Sequence, residues 1–154
     1  MGAVLFVGRF QPFHNGHKHA IEKLQEKYEK VNIVIGGPKQ ADRKNPFSFA
    51  ARRKMIKSSL KKKNYRIFIM PDVNSDAKWA KTIMKKMKFD VVVTGSAWVR
   101  RCFADIKPVK RPDFLERQKY NATRIRRLMR RGEPWQYLVP RSVATIIKSK
   151  SKKR

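Results

Sequence analysis

The stretch Gly8-Arg9-Phe10-Gln11-Pro12-Phe13-His14-Asn15-Gly16-His17 decides how the whole chain is interpreted. It follows the apolar residues 3–7, which are typical of a buried strand, and it precedes residues 17–30, whose pattern predicts an amphipathic helix. Two histidines, an arginine and a glycine therefore stand on a strand-to-helix turn. Because a helix N-terminus presents free backbone N–H groups and a positive dipole end, this turn is suited to the phosphates of a nucleotide.

Apolar and helical segments alternate along the rest of the chain. The pattern predicts strands at residues 31–36, 65–70 and 89–94, with a short edge strand at 108–109. It predicts helices at residues 48–61, 75–86, 97–104 and 121–131, and two short helices that begin near Pro134 and Pro140. Strands separated by helices of this length indicate βαβ units, so the expected fold class is α/β with a doubly wound, Rossmann-like parallel sheet. We expect one domain over residues 1–147 and a basic, flexible tail over residues 148–154.

Four segments follow the predicted strands at their carboxyl ends: residues 8–17, 36–46, 72–79 and 94–96. Doubly wound sheets bind ligands beyond the carboxyl ends of their strands, where the strand order reverses. The pattern therefore predicts that these segments form one pocket.

The charge of the chain is strongly unbalanced, with 39 Lys and Arg against 11 Asp and Glu and a net charge of +28. Such a chain attracts polyanions, so a nucleic-acid partner is one interpretation. A lysine-rich composition without any partner is the other, and the spread of basic residues over most helices favours it. The single cysteine, Cys102, excludes an intramolecular disulfide, and no apolar run is long enough to span a bilayer. A cytoplasmic protein without membrane attachment is expected.

The three histidines of the chain, His14, His17 and His19, fall within six residues. Two of them, His14 and His17, can aim at one phosphate chain, where an imidazole N–H donates a hydrogen bond to a phosphate oxygen. A metal site is the alternative, but no cysteine or carboxylate stands nearby until Glu22, so no protein-held metal is expected. Cys102 as a nucleophile is disfavoured because the histidines are distant in sequence.

The motif His14-x-Gly16-His17, with its extension from Gly8 to Phe13, resembles the signature of archaeal-type nicotinamide-nucleotide adenylyltransferases, a family of the nucleotidyltransferase superfamily. Further similar segments are Asn45-Pro46-Phe47-Ser48 with Arg52, Asp72-x-x-x-Asp76-x-x-Trp79, Thr94-Gly95-Ser96, and the run from Tyr120 to Arg127 with the closing segment at residues 132–140. The resemblance extends over about residues 3–148, nearly the whole chain.

This resemblance implies the condensation of ATP with nicotinamide mononucleotide to give NAD and pyrophosphate, with Mg²⁺ held mainly by phosphates and water. It implies that His14, His17 and Arg126 are catalytic residues that contact the ATP phosphates. The implied ATP-binding residues are Gly8, Arg9, Phe10, Gln11, Gly16, Thr94, Gly95, Tyr120, Thr123 and Ile125. The implied mononucleotide-binding residues are Lys44, Asp72, Val73, Asp76 and Trp79.

Several of these residues also have a purely structural interpretation. Trp79 on a helix is either a core residue or a platform for the nicotinamide ring, and Asp72 after Pro71 is either a ligand or a turn former. Arg126 is singled out among many arginines only by its spacing from Thr123. Asp76 stands where the family carries an asparagine, and we expect its charge to disfavour the carboxylate of nicotinic acid mononucleotide.

Two other functions stay open at this stage. A related adenylyltransferase would use another phosphate acceptor, such as phosphopantetheine, FMN or nicotinic acid mononucleotide. A non-catalytic RNA-binding protein on the same fold would use the basic surface. The sequence also leaves open a homo-oligomer, which the high positive charge would oppose.

Overall fold

The computed structural model describes residues 2–73 and 75–152, with side chains to residue 150, and its centre is a parallel β-sheet. The strands are β1 (Ala3–Gly8), β2 (Lys30–Gly37), β3 (Tyr65–Pro71), β4 (Val91–Val93) and β5 (Val109–Lys110). Their order across the sheet is β3-β2-β1-β4-β5, and every neighbouring pair is parallel. This arrangement confirms the predicted doubly wound α/β fold.

Helices connect the strands and cover both faces of the sheet. They are α1 (Asn15–Lys27), α2 (Phe49–Ser59), α3 (Asp76–Lys86), α4 (Ala97–Phe103), α5 (Ala122–Arg130) and α6 (Arg141–Lys152), with a 3-10 turn at Gln136–Leu138. Within the described ranges, none of these helices is both long enough and apolar enough to cross a membrane.

Side-chain alternation along the strands divides the core between the two faces of the sheet. From β1, Val4 and Phe6 join a cluster that also includes residues of α1, α2, α5 and α6. The intervening Leu5 and Val7 join a second cluster with residues of α3 and α4. Strands buried on both faces lose the apolar–polar alternation of a half-exposed sheet, which explains the continuous apolar runs in the sequence.

The strand order places the predicted pocket. The chain runs outward from β1 to β3, then returns to build β4 on the other side of β1, so the order reverses between β1 and β4. Residues 9–14, which follow β1, lie at the carboxyl end of the sheet at this reversal, where open α/β sheets bind ligands.

The structure changes the predicted bounds most at three segments. Helix α1 begins at Asn15 instead of 17, because His14 caps it, and it ends at Lys27 because Tyr28 is extended (φ −111°, ψ 148°). Strand β4 has three residues rather than six. Helix α6 continues to Lys152, so much of the segment expected as a tail is helical, and Lys153 and Arg154 lie outside the described residues.

Candidate active site

His14 and His17 form the N-terminal cap of α1. The Nδ1 atom of His14 accepts hydrogen bonds from the backbone N–H groups of Gly16 (3.0 Å) and His17 (3.3 Å). In return, the backbone N–H of His14 donates to Nδ1 of His17 at 3.1 Å. The two imidazole rings stack with their centroids 3.6 Å apart. The histidines thus replace the hydroxyl and carboxylate of an ordinary capping box, and the cap fixes both rings.

The cap also fixes the protonation of the two rings. A ring nitrogen that accepts a hydrogen bond carries no proton, so each neutral imidazole carries its proton on Nε2. Burial lowers the pKa of His14 to about 4. Burial, and secondarily the adjacent His14, lowers the pKa of His17 well below its ordinary value. Both rings are therefore neutral at pH 7, and neither Nε2–H has a hydrogen-bond acceptor among the residues that the structure describes.

A cavity of about 170 Å³ opens beside the histidine pair. A Cβ atom on Gly16 would lie 2.9 Å from Cε1 of His14 and 3.2 Å from Cβ of Tyr120, so glycine leaves these rings the room they occupy. The cavity is lined by Phe6, His14, Gly16, His17, Ala20, Pro112, Phe114, Leu115, Arg117, Tyr120, Asn121 and Ala122.

The turn between β1 and α1 is held from several sides. Gly8 ends β1, and a Cβ there would lie 2.8 Å from the ring of Phe10, which is itself buried with φ +52°. The Gln11 side chain donates to the Phe47 carbonyl (3.0 Å) and accepts from the Phe47 N–H (2.9 Å). This reciprocal pair joins the turn to the segment before α2.

Arg52 is an anchor that sequence reasoning noted only as part of a motif. Its side chain is 1% exposed. Its guanidinium donates to the carbonyls of Arg9 (2.6 Å), Gly36 (2.7 Å) and Ser48 (3.2 Å). Burial, with a contribution from Arg9, lowers its pKa to about 10. Arg52 thus joins the residues that follow β1 and β2 to the start of α2, and it supports the site without lining the cavity.

Helix α5 brings Arg126 to the turn. Asn121 caps this helix by accepting the Arg124 N–H at 2.8 Å. One turn into the helix, Nη1 of Arg126 donates to the Gln11 carbonyl at 2.7 Å. Thr123 is exposed beside it, whereas the Ile125 side chain lies entirely in the core. Ile125 therefore offers a ligand only its backbone.

The residues after β4 reach the same region. Thr94 is fully buried, and its hydroxyl accepts the Ser96 N–H at 3.0 Å. A Cβ atom on Gly95 would lie 3.1 Å from Cζ of Phe114. Phe114 is 40% exposed, and the Arg117 guanidinium lies 4.4 Å from the centre of its ring.

Residues 112–117 are the part of the cavity wall that sequence reasoning missed. They carry no motif, and only an aromatic residue with arginines three positions away on each side, at 111 and 117, could have marked them. The loop is tied to α1 by His19, whose Nε2 lies 3.6 Å from Oδ1 of Asp113.

The residues expected to bind the mononucleotide surround the turn less closely. Arg9 donates to Oδ1 of Asn45 (3.0 Å) and lies 3.8 Å from the carboxylate of Asp72. Lys44 is exposed on the loop before α2, and Val73 is 44% exposed after β3. Arg9 thus links two of the segments that were predicted to share one pocket.

Trp79 lies in the core rather than on a wall of the cavity. Its ring is 1% exposed and packs against Trp98 (centroids 4.7 Å apart) and Phe103 (5.9 Å). The carboxylate of Asp76 accepts a 2.7 Å hydrogen bond from the indole N–H of Trp98. In this structure Trp98 covers Trp79 and engages Asp76, so ring stacking by Trp79 stays a prediction that requires Trp98 to move.

Two alternatives considered from the sequence concern metal ligands and the single cysteine. No group of three or more His, Cys, Asp or Glu residues suited to a metal ion occurs in residues 2–73 and 75–152. Cys102 is buried, and burial raises the pKa of its thiol, which disfavours the nucleophilic thiolate.

Comparison with known proteins gives the class to which this site belongs. Residues 5–131 match the model of the family described as cytidylyltransferase-like. The chain is 40% identical to the nicotinamide-nucleotide adenylyltransferase of Thermococcus kodakarensis and 41% identical to that of Pyrococcus furiosus, and each match covers 94% of this chain and 81% of the relative.

A solved structure supports the same assignment. The bifunctional NMN adenylyltransferase/ADP ribose pyrophosphatase of Francisella tularensis, complexed with AMP and a Mn ion, aligns with a TM-score of 0.69 at 29% identity. The alignment covers 89% of this chain and 44% of that one, so the chain spans less than half of the bifunctional protein. The chain belongs to the cytidylyltransferase-like family and, within it, to the nicotinamide-nucleotide adenylyltransferases.

Proposed function

We propose that this protein transfers the adenylyl group of ATP to nicotinamide mononucleotide, forming NAD and pyrophosphate. The observation that carries the proposal is the stacked pair of neutral histidines, whose two Nε2–H donors have no acceptor within the described residues and which lie at the N-terminus of α1 beside a cavity. Such a site binds a chain of phosphates. Relatives that share about 40% of its residues carry this activity in their names.

The chemistry needs no nucleophile from the protein. A phosphate oxygen of the mononucleotide attacks the α-phosphorus of ATP, a new P–O bond forms, and the bond to the bridging oxygen of the β-phosphate breaks. Negative charge develops on the α-phosphoryl oxygens and on the leaving pyrophosphate. Fixed N–H donors stabilise that charge, and the enzyme must hold the two anionic substrates in line.

The roles of the protein groups follow from their positions. His14 and His17 donate hydrogen bonds to the phosphates without carrying charge, so they do not need to lose a proton afterwards. Arg126 and Arg9 supply the positive charge, and the backbone N–H groups at the start of α1 supply further donors. Since the described residues offer no carboxylate cluster, Mg²⁺ enters as the Mg–ATP complex, held by phosphates and water.

The pyridine end of the acceptor is assigned to Asp72, Val73, Asp76 and Trp79, with Lys44 near its phosphate. The negative charge of Asp76 tolerates the amide of nicotinamide and repels the carboxylate of nicotinic acid. The amide substrate is therefore preferred. Release of Asp76 from Trp98 would free both the carboxylate and one face of Trp79.

The test is a panel of acceptors with Mg–ATP. We expect dinucleotide from nicotinamide mononucleotide, a lower kcat/KM with nicotinic acid mononucleotide, and no product from phosphopantetheine or FMN. Asp76→Asn should bring the two kcat/KM values closer together. Equal values for the two mononucleotides in the wild type would contradict the role of Asp76, and product only from another acceptor would replace the proposed substrate.

The proposal includes a cytoplasmic site of action, as expected from the sequence. A nucleic-acid partner and a homo-oligomer stay predictions. RNA binding with a steep salt dependence that His17→Ala leaves unchanged would support a second, separate role for the basic surface.

A further inference from the structure

A second cavity, of about 300 Å³, lies beside Arg126. This volume is at the lower limit of small-molecule sites. The second cavity shares no lining residue with the cavity at the histidine pair. It lies between the loop that precedes α2, the last turns of α5 and the end of α6. Its lining residues are Arg43, Pro46, Phe47, Arg126, Met129, Arg130, Ile147 and Lys150.

The charged residues of this cavity are all cations. Four of its eight lining residues are Arg or Lys, and none is Asp or Glu. None of the four forms an ion pair with a carboxylate within the described part of the chain. Burial lowers the pKa of Arg126, and the positive charge of the nearby Arg130 lowers it further, because the two guanidiniums repel each other. A multivalent anion would relieve this repulsion.

The remaining walls are apolar. Phe47 and Ile147 are buried, and Met129 is partly buried. Of the four cations, Arg126 is partly buried, whereas Arg43, Arg130 and Lys150 are exposed. The apolar walls therefore strengthen chiefly the attraction between an anion and Arg126. Four cations around one such cavity match the charge of two or more linked phosphates better than that of a single phosphate.

Arg126 connects this cavity to the active site. Its Nη1 donates to the carbonyl of Gln11 in the turn before α1, and its side chain also lines the second cavity. An anion in the second cavity would share this guanidinium with the ATP phosphates that Arg126 is proposed to bind.

We propose that the second cavity binds inorganic condensed phosphates, such as pyrophosphate and tripolyphosphate, and that its occupant competes with ATP for Arg126. The competition rests on the proposed function, because it requires ATP to use Arg126. The binding itself does not, since it depends only on the four cations. Pyrophosphate formed by the reaction would then inhibit its own producer from a site distinct from the histidine pair.

The decisive test is calorimetric titration with sodium tripolyphosphate at constant ionic strength. The variant is Arg130→Gln/Lys150→Gln, which removes two lining cations. The control is Arg127→Gln/Lys148→Gln, which removes two exposed cations from the same two helices without touching the cavity. We expect the first double variant to weaken binding about tenfold or more and the control to change it less than about twofold.

A further comparison distinguishes the second cavity from the site at the histidine pair. It also distinguishes free condensed phosphate from the phosphates of ATP. In His17→Ala, tripolyphosphate binding should persist and stay sensitive to Arg130→Gln/Lys150→Gln. Loss of binding in His17→Ala, or equal weakening in both double variants, would overturn the second site. Binding of ATP with the same sensitivity to Arg130 and Lys150 would assign the cavity to the nucleotide's own phosphates instead.

Kinetics then test the competition with ATP. Tripolyphosphate should inhibit NAD formation competitively with ATP, with a Ki that rises about tenfold in Arg130→Gln/Lys150→Gln and stays unchanged in the control. An unchanged Ki in the first variant would overturn the competition. If the wild type forms no NAD but binds tripolyphosphate through Arg130 and Lys150, the proposed function fails and the anion site stands.

Discussion

The candidate site contains two imidazole rings that the backbone holds in one protonation state. Each Nδ1 accepts a backbone N–H, so a proton added there would break the cap of α1. The folded protein consequently binds protons on these rings less tightly than the unfolded chain does. Two neutral rings can donate hydrogen bonds to a polyanion. They can also stack with their centroids 3.6 Å apart, whereas two protonated rings at this distance would repel each other.

This coupling makes stability depend on pH in the acid range. Because the pKa of His14 is about 4 in the folded state and 6.5 ordinarily, the free energy of unfolding should fall by about 3 kcal/mol between pH 6.5 and pH 4. Above pH 6.5 this contribution is fully present. The variant His14→Asn keeps a capping oxygen but does not titrate, so urea unfolding across this pH range should show a shallower decline. Identical declines in both proteins would refute the neutral state of His14.

Gly16 permits the arrangement of the rings by having no side chain. The variant Gly16→Ala places a Cβ 2.9 Å from the His14 ring and 3.2 Å from Tyr120. We expect kcat/KM to fall about 100-fold, because small displacements of reacting groups are costly. Lys23→Ala, at an exposed position of the same helix, is the control and should keep wild-type activity. Full activity in Gly16→Ala would show that the rings tolerate displacement.

At the scale of elements, three helix starts and one buried arginine bring the site together. His14 begins α1, Ser48 begins α2 by accepting the Ala51 N–H at 3.1 Å, and Asn121 begins α5. Arg52 then joins the ends of β1 and β2 to the start of α2 through three carbonyls. The turn between β1 and α1 is therefore positioned by the ends of helices and strands, whose relative places the parallel sheet determines.

Variants of Asn121 test how much a helix cap contributes to the stability of the protein. The Asn121 side chain supplies the cap of α5, the helix that holds Arg126. Asn121→Ala should lower the free energy of unfolding by about 1 kcal/mol, whereas Asn121→Ser should nearly retain it. Urea denaturation distinguishes the two variants. An equal loss in both would mean that another contact of Asn121, such as its bonds to the carbonyls of Arg117 and Gln118, carries the effect.

At the scale of the whole molecule, the chain carries a net charge of +28, and its proposed substrates are polyanions. Long-range attraction raises the rate at which an anionic substrate reaches such a site, and salt screens it. We expect kcat/KM for ATP to fall about three- to tenfold between 50 and 300 mM KCl, with a smaller change in kcat. A kcat/KM independent of salt would assign the excess charge to composition alone.

The sequence was sufficient for the architecture, and it placed His14 and His17 on the strand-to-helix turn that the structure shows after β1. Apolar runs separated by helical segments predict a parallel sheet. They can be recognised from the sequence because side-chain periodicity is a local property. The residues that it missed act through tertiary contacts. Phe114 and Arg117 reach the cavity from a loop with no motif, and the complete burial of Trp79 depends on Trp98, which is 19 residues away along the chain. The start of α1 was misplaced because a histidine serves as its cap, which capping preferences do not anticipate.

The most direct test of the central claim is the rate of NAD formation from Mg–ATP and nicotinamide mononucleotide by the wild type and by His17→Ala, each first shown to be folded. The wild type should form NAD and pyrophosphate in equal amounts. Loss of one fixed donor to the phosphates should lower kcat about 100- to 1,000-fold in the variant, with a small change in the KM for the mononucleotide. Equal rates in the two proteins, or no NAD from either, would contradict an adenylyl transfer that depends on the histidine pair.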